Sequence, residues 1–231
     1  MYSRRAAGRL LTFGVSGRLF RNAQVMYDRE TGSLWSHLTG EALGGPLRGE
    51  RLERIAAGVT PRITWRAWRR LYPHTAALSV DGRQDFPFDR YEQYRRDPAR
   101  TGLYPVSHPD RRAAPKEMVL GVTLGRRRSK AYRHADLERR PLLADRVGDM
   151  DLLVYFDARG SGASAVFERP GGDGEPFRLE GDRIVAGDGK RWRAATGEPL
   201  SPRTPRLRTV PHVHAYWFAW ADHHPGSALF P

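Results

Sequence analysis

Cysteine is absent from all 231 residues. Disulfides, thiolate zinc sites, iron–sulfur clusters and cysteine nucleophiles are therefore excluded within the chain. Lysine is scarce: of 39 basic residues only Lys116, Lys130 and Lys190 are lysines, leaving 36 arginines. No apolar run approaches the ~18 residues that a bilayer-spanning helix needs. No leader is evident, since Met1 is followed by Tyr2-Ser3-Arg4-Arg5 where a secretory signal needs an apolar stretch of roughly 7–15 residues. As written the chain is expected to be cytoplasmic; a leader lost upstream would make it extracytoplasmic. Phosphate-cradling glycine motifs are missing too. Gly14-Val15-Ser16-Gly17 reads as a turn, because no Gly-Lys-Ser/Thr follows, and Ser16 and Ser107 lack a nucleophile-elbow context.

What remains is globular in composition, with 39% hydrophobic and 28% charged residues. The formal charge of +13 suggests a nucleic-acid or anionic partner. The basic residues are dispersed, however, as Arg4-Arg5, Arg69-Arg70, Arg95-Arg96, Arg111-Arg112 and Arg139-Arg140. Only Arg126-Arg127-Arg128, expected in a hairpin turn after Gly125, forms a longer cluster. Electrostatic footprints concentrate on one face, so the Arg-rich composition fits the codon bias of a GC-rich genome better than nucleic-acid binding.

Short apolar runs punctuated by Gly, Asp and Pro predict a mainly β fold with a few short helices. Strands are expected at 10–13, 23–27, 33–36, 119–124, 152–156, 163–167, 177–180 and 182–185. Thr64 can cap a helix through Arg70 that places Trp65 and Trp68 on one face. A matching helix is expected from Tyr216 to His223, and a third near His134–Arg140. Pro73 and Pro225 stop the first two.

The chain also repeats itself. Trp35, Thr39, Gly40, Glu41 and Leu43 recur at the same spacing as Trp192, Thr196, Gly197, Glu198 and Leu200. Trp65, Trp68 and Pro73 recur as Trp217, Trp220 and Pro225. Two related β-rich units forming one pseudo-duplicated domain are expected: 1–78, an irregular connector packed by aromatic anchors at 79–117, and 118–231. Phe167 aligns with Tyr2, yet 49 residues (118–166) precede Phe167 in the second unit and one precedes Tyr2. The first unit is thus expected to lack roughly 48 residues. Its sheet would then have an incomplete edge through which chains could pair as oligomers.

The residues Leu11-Thr12-Phe13-Gly14-Val15-Ser16-Gly17-Arg18-Leu19, Met26-Tyr27-Asp28-Arg29, Thr31-Gly32-Ser33-Leu34-Trp35 and Leu38-Thr39-Gly40-Glu41 closely resemble the bacterial and archaeal family called domain of unknown function 3179. The resemblance continues through Pro105-Val106-Ser107, Lys116, Val119–Val122, Ala131-Tyr132 and Trp217–Trp220. It implies no reaction, but it does imply a Cys-Pro-x-Cys type motif, selenocysteine-bearing in some members, upstream of Leu11. The corresponding segment of the second unit, Tyr155–Ser161, has no thiol. The resemblance therefore implies that this chain is a scaffold or binding fragment without catalytic thiols. In the alternative, a full-length form is a thiol/selenol redox or metal-handling protein with its motif encoded before Met1.

Among individual residues, the six tryptophans could stack sugars or bases, but their recurrence at matching spacing predicts core packing. Glu41 and Glu198 could form an acid/base pair, though a repeated Thr-Gly turn is the simpler reading. His212 and His214, at i and i+2 on a strand, share a face and could chelate a transition metal. His223-His224, His37 and His108 are further candidates, and spacing identifies no third ligand.

Overall fold

The computed structural model describes residues 2–55, 63–77, 91–125, 128–171 and 176–230. The structure is mainly β with short helices. A two-stranded ribbon, β1 (Arg5–Ala6) and β2 (Arg9–Leu10), leads into an antiparallel sheet of β3 (Phe13–Phe20), β4 (Ala23–Asp28), β5 (Leu34–Ser36) and β6 (Ala42–Gly44), in that order. Helices α1 (Trp65–Leu71) and α2 (Glu92–Arg96) follow. Next come β7 (Met118–Leu124), β8 (Arg128–Arg133), α3 (His134–Arg139), β9 (Leu142–Val147), β10 (Met150–Phe156) and β11 (Ser164–Glu168). The chain closes with β12 (Phe177–Glu180), β13 (Arg183–Ala186), β14 (Arg191–Arg193), β15 (His212–Tyr216), α4 (Trp217–His223) and β16 (Ala228–Leu229).

The C-terminal half is stacked in layers, and the apolar pattern explains why. The run Leu152-Leu153-Val154-Tyr155-Phe156 makes β10 apolar on both faces, as a strand covered on both sides must be. Leu152, Val154 and Phe156 pack with Leu120, Val122 and Tyr132 of the sheet ordered β15-β7-β8-β16. Leu153 and Tyr155 pack the other way, with Ile184 and Trp192 of the sheet ordered β12-β13-β14. Strand β7 is double-faced in the same manner: Val119 joins Trp217, Trp220 and Ala221 of α4. Gly121 permits that approach, since a Cβ there would lie 2.2 Å from Cζ3 of Trp220. The N-terminal core is smaller, built from Ala6, Leu11, Trp35, Ala42 and Leu52.

The recurring sequence blocks make matching contacts. Trp35 in β5 and Trp192 in β14 are both buried. Gly40 and Gly197 adopt φ of +73° and +68°, a region that favours glycine. A Cβ would meet the ring of Tyr2 at 2.5 Å in the first case and of Phe167 at 2.6 Å in the second. Leu52 N donates to Gly40 O at 2.9 Å, and Leu207 N to Gly197 O at 3.0 Å. Trp68 Nε1 donates to Thr75 Oγ1 at 3.0 Å, and Trp220 Nε1 to Ser227 Oγ at 2.9 Å. Burial separates the two helices. Helix α4 buries Trp217 and Trp220, whereas α1 buries no residue and Trp65 is 49% exposed, although the sequence places Trp65 in the core.

Several local expectations change. Gly14–Gly17 is not a turn but lies inside β3, where the register shifts between Val15 and Leu19 around Gly17 at φ +71°. The reversal falls instead at Arg21-Asn22, whose φ values of 49° and 60° make the two-residue hairpin that right-twisted strands favour. Leu11 and Thr12 are not strand; β2 ends at Leu10 and β3 begins at Phe13. Helix α4 begins at Trp217, one residue after the expected Tyr216. Within the connector α2 is helical, and Tyr91 and Tyr104 are exposed rather than anchoring. Residues 79–90, including Phe86 and Phe88, and the Arg126-Arg127 pair lie outside the described residues.

Hydrogen bonds tie the connector to both halves. Asn22 Nδ2 donates to Tyr104 O and accepts Tyr104 N on its Oδ1, both at 2.9 Å. Arg21 donates to the Asp222 carbonyl at 2.8 Å. Buried Asp222 accepts the backbone N–H groups of Ser107 and His108, at 3.2 and 2.9 Å. Together these bonds bring the β3–β4 hairpin and the connector against α4.

Candidate ligand-binding cleft

Where the N-terminal sheet meets β15 and α4, two neighbouring cavities share Arg54 and Pro211 in their walls. The first, about 400 Å³, is lined by Glu41, Arg51, Arg54, Thr123, His223 and His224, among others. The second, about 310 Å³, includes Tyr2, His37, Arg54, His212 and His214. Five of the eight histidines thus line one cleft.

Their protonation follows from their partners. Nδ1 of His37 lies 2.9 Å from Gln24 O, that of His212 3.1 Å from Val210 O, and that of His223 3.0 Å from Ala219 O. A carbonyl only accepts, so the bonding network assigns the proton to Nδ1 and leaves Nε2 with a lone pair when the ring is neutral. Burial lowers the pKa of His212 and His223. His224 is pushed down to about 4, first by burial and then by the charges of Arg54, His223 and Arg51. At neutral pH these three rings are therefore uncharged.

Arginines supply the charge. Arg51 is paired with Glu41 at 2.6 Å. Arg54 donates to the Leu38 carbonyl at 2.6 Å and lies 5.5 Å from the Tyr2 ring centre, with no carboxylate partner among the described residues. Tyr2 donates to the same carbonyl at 2.8 Å, and burial raises its phenol pKa. Three side-chain atoms in the wall of the first cavity, Thr123 Oγ1, His223 Nε2 and His224 Nε2, are buried with no hydrogen-bond partner. A buried polar atom left unpaired costs about 1–3 kcal/mol, so such a grouping is uncommon without a ligand, ion or water to satisfy it.

A chain of hydrogen bonds sets the back wall. Ser164 Oγ, fully buried in β11, lies 2.6 Å from His214 Nε2, and His214 Nδ1 lies 2.8 Å from His134 Nε2. His214 therefore has both ring nitrogens engaged. His212 and His214 share a face of β15 with ring centres 6.1 Å apart. Among the described residues no three His, Cys, Asp or Glu side chains gather closely enough to hold a metal ion. His108 lies apart, 3.1 Å from Asp222. The two repeated glutamates are held by their own arginines: Glu41 by Arg51, and Glu198 at 3.9 Å from both Arg193 and Arg206. Thr123, Arg51, Arg54, His134 and Ser164 escape sequence reasoning because only strand pairing between distant segments brings them to the cleft.

The sequence model of one family, described as a protein of unknown function (DUF3179), matches residues 1–227. The chain belongs to the DUF3179 family. No curated protein and no solved structure matches it. The features of this DUF3179 chain must therefore be argued from its own geometry. In the described part of that geometry no helix is long and apolar enough to cross a membrane.

Proposed function

We propose that this chain is a binding module, built as two related units (1–78 and 118–231) around a connector (79–117), and that its histidine-lined cleft takes a small oxyanion bearing a hydroxyl. The observation that carries the reading is the grouping of Thr123 Oγ1, His223 Nε2 and His224 Nε2, unpaired and buried, beside Arg54. Arg54 favours negative charge, while the Nε2 lone pair of His223 calls for a hydrogen-bond donor. A hydrogen phosphate offers both, with P–O⁻ toward Arg54 and P–O–H toward an imidazole.

The matching bonds around Gly40 and Gly197, and around Trp68 and Trp220, support the two-unit reading. An oligomer through β3, an outer strand with Val15 70% exposed, is part of the same proposal. Thiol chemistry draws no support from a chain without cysteine. A transition metal at His212 and His214 competes with the bonds that His214 makes to Ser164 and His134. Nucleic-acid binding is opposed by pairing of Arg112, Arg133, Arg139, Arg146 and Arg159 with carboxylates.

Thermal unfolding against rising phosphate tests the proposal. A ligand bound only by the folded state raises Tm in step with RT ln(1 + [L]/Kd). The expected result is a rise that keeps growing with the logarithm of phosphate concentration and that sodium chloride at equal ionic strength does not reproduce. Equal shifts with both salts would overturn the proposal.

A further inference from the structure

A further cavity, which shares no lining residue with the cleft, measures about 510 Å³. This is within the range of small-molecule sites, roughly 300–1,000 Å³. Helix α1 forms one wall and the loop after β10 another, joined where Thr64 N donates to Ser161 O at 2.7 Å. Ile63, Leu71, Pro141 and Leu179 give it apolar walls.

Its polar groups are of two kinds. Asp157 is already satisfied by Gly160 N, Ser161 N and Ser161 Oγ at 2.7–2.9 Å. These bonds outweigh the upward push of burial and hold its carboxyl below the usual range. Arg66 and Arg70, by contrast, project from α1 into the cavity lining with no carboxylate partner among the described residues. Tyr155 is buried in the lining, and burial, then Asp157 and Asp182, push its phenol up to about 12. It remains a proton donor at neutral pH. The cavity thus combines an apolar lining, two guanidinium groups without a carboxylate partner among the described residues, and a phenolic donor.

We propose that this cavity binds a carboxylic acid with an apolar tail, its carboxylate paired with Arg66 and Arg70 and its tail against Ile63, Leu71, Pro141 and Leu179. Charge complementarity selects the head group, because Asp157 is satisfied by its own loop and Asp182 lies 3.7 Å from Arg183, while Arg66 and Arg70 have no carboxylate partner among the described residues. This site stands independently of the phosphate reading of the cleft.

Calorimetric titration with octanoate, with octan-1-ol as the uncharged control, tests it in the presence of excess phosphate so that the cleft is occupied. One saturable site for octanoate is expected, with octanol at least about tenfold weaker, the loss of one charge-assisted pairing. Arg66→Ala with Arg70→Ala should bring octanoate down to the octanol level. Both lie on a helix that buries no residue, so the fold should survive. Leu179→Trp, with folding checked by near-UV circular dichroism, should abolish the site by filling it. Non-saturable heats, equal affinity for acid and alcohol, or unchanged binding by the double arginine variant would each overturn the proposal.

Discussion

Nδ1 of His223 donates to the carbonyl of Ala219, one helical turn back, at 3.0 Å. That single bond fixes the ring's tautomer and turns Nε2 into a buried acceptor without a donor. The ring beside it, His224, is depressed to about 4 and is also unpaired at Nε2. The cleft thus sets neutral imidazoles, with a bare acceptor at His223 Nε2, beside the Arg54 cation.

The depressed histidine makes folding stability depend on pH. His224 titrates near 4 in the folded chain and near 6.5 unfolded, so between those values the unfolded state holds more protons. Stability should therefore fall as pH drops from about 6.5 to about 4. His212 and His223, also lowered, add to the same slope. Arg54, Arg51 and His223 oppose protonation of His224, and Glu41 lines the same cavity. Urea unfolding at pH 7 and pH 5 should show a smaller difference in His224→Asn than in the parent chain.

The two buried tryptophans should respond unequally to loss of their N–H. Trp35 Nε1 donates to the fully buried carboxylate of Asp28 at 2.8 Å, whereas Trp192 Nε1 donates to the neutral carbonyl of Pro205 at the same distance. Burial pushes the Asp28 carboxyl up, but bonds from Trp35 and Thr31 outweigh it. Bonds to charged groups contribute about 1.5–3 kcal/mol and neutral ones about 0.5–1.5. Trp35→Phe should cost more than Trp192→Phe by roughly 1 kcal/mol in urea unfolding; the reverse order would contradict this account of the N-terminal core.

Gly121 should not tolerate a methyl group. The Trp220 ring occupies the space a Cβ would take, at 2.2 Å, and both residues are fixed, one in a central strand and one in a buried helix. Overpacking of this kind costs about 1–3 kcal/mol. Gly121→Ala should lower stability by at least that, while Gly125→Ala, where nothing lies within 4 Å of a Cβ but φ is +65°, should show only the smaller backbone penalty.

How far the sequence is legible depends on the range of the interaction. Trp35 and Trp192, with the Thr-Gly turns after them, stand out because a local turn and a buried ring impose fixed residue types at fixed spacing. The apolar run of β10 is equally plain, since burial on both faces removes polar residues. Gly14–Gly17 misleads because a bulge and a turn both call for glycine; only pairing with β4 distinguishes them. Trp65 misleads because equal spacing does not ensure equal cover. The histidine pair on β15 is visible, but what engages it is not: Ser164 and His134 arrive from other strands and another helix.

The most direct measurement of the central claim is calorimetric titration of phosphate at neutral pH. The account predicts one saturable site per chain, with P–O⁻ toward Arg54 and P–O–H toward the neutral His223 ring. Arg54→Ala should weaken it by at least about tenfold, the scale of one lost charge-assisted bond. Absence of a saturable site, or binding that Arg54→Ala leaves unchanged, would contradict it.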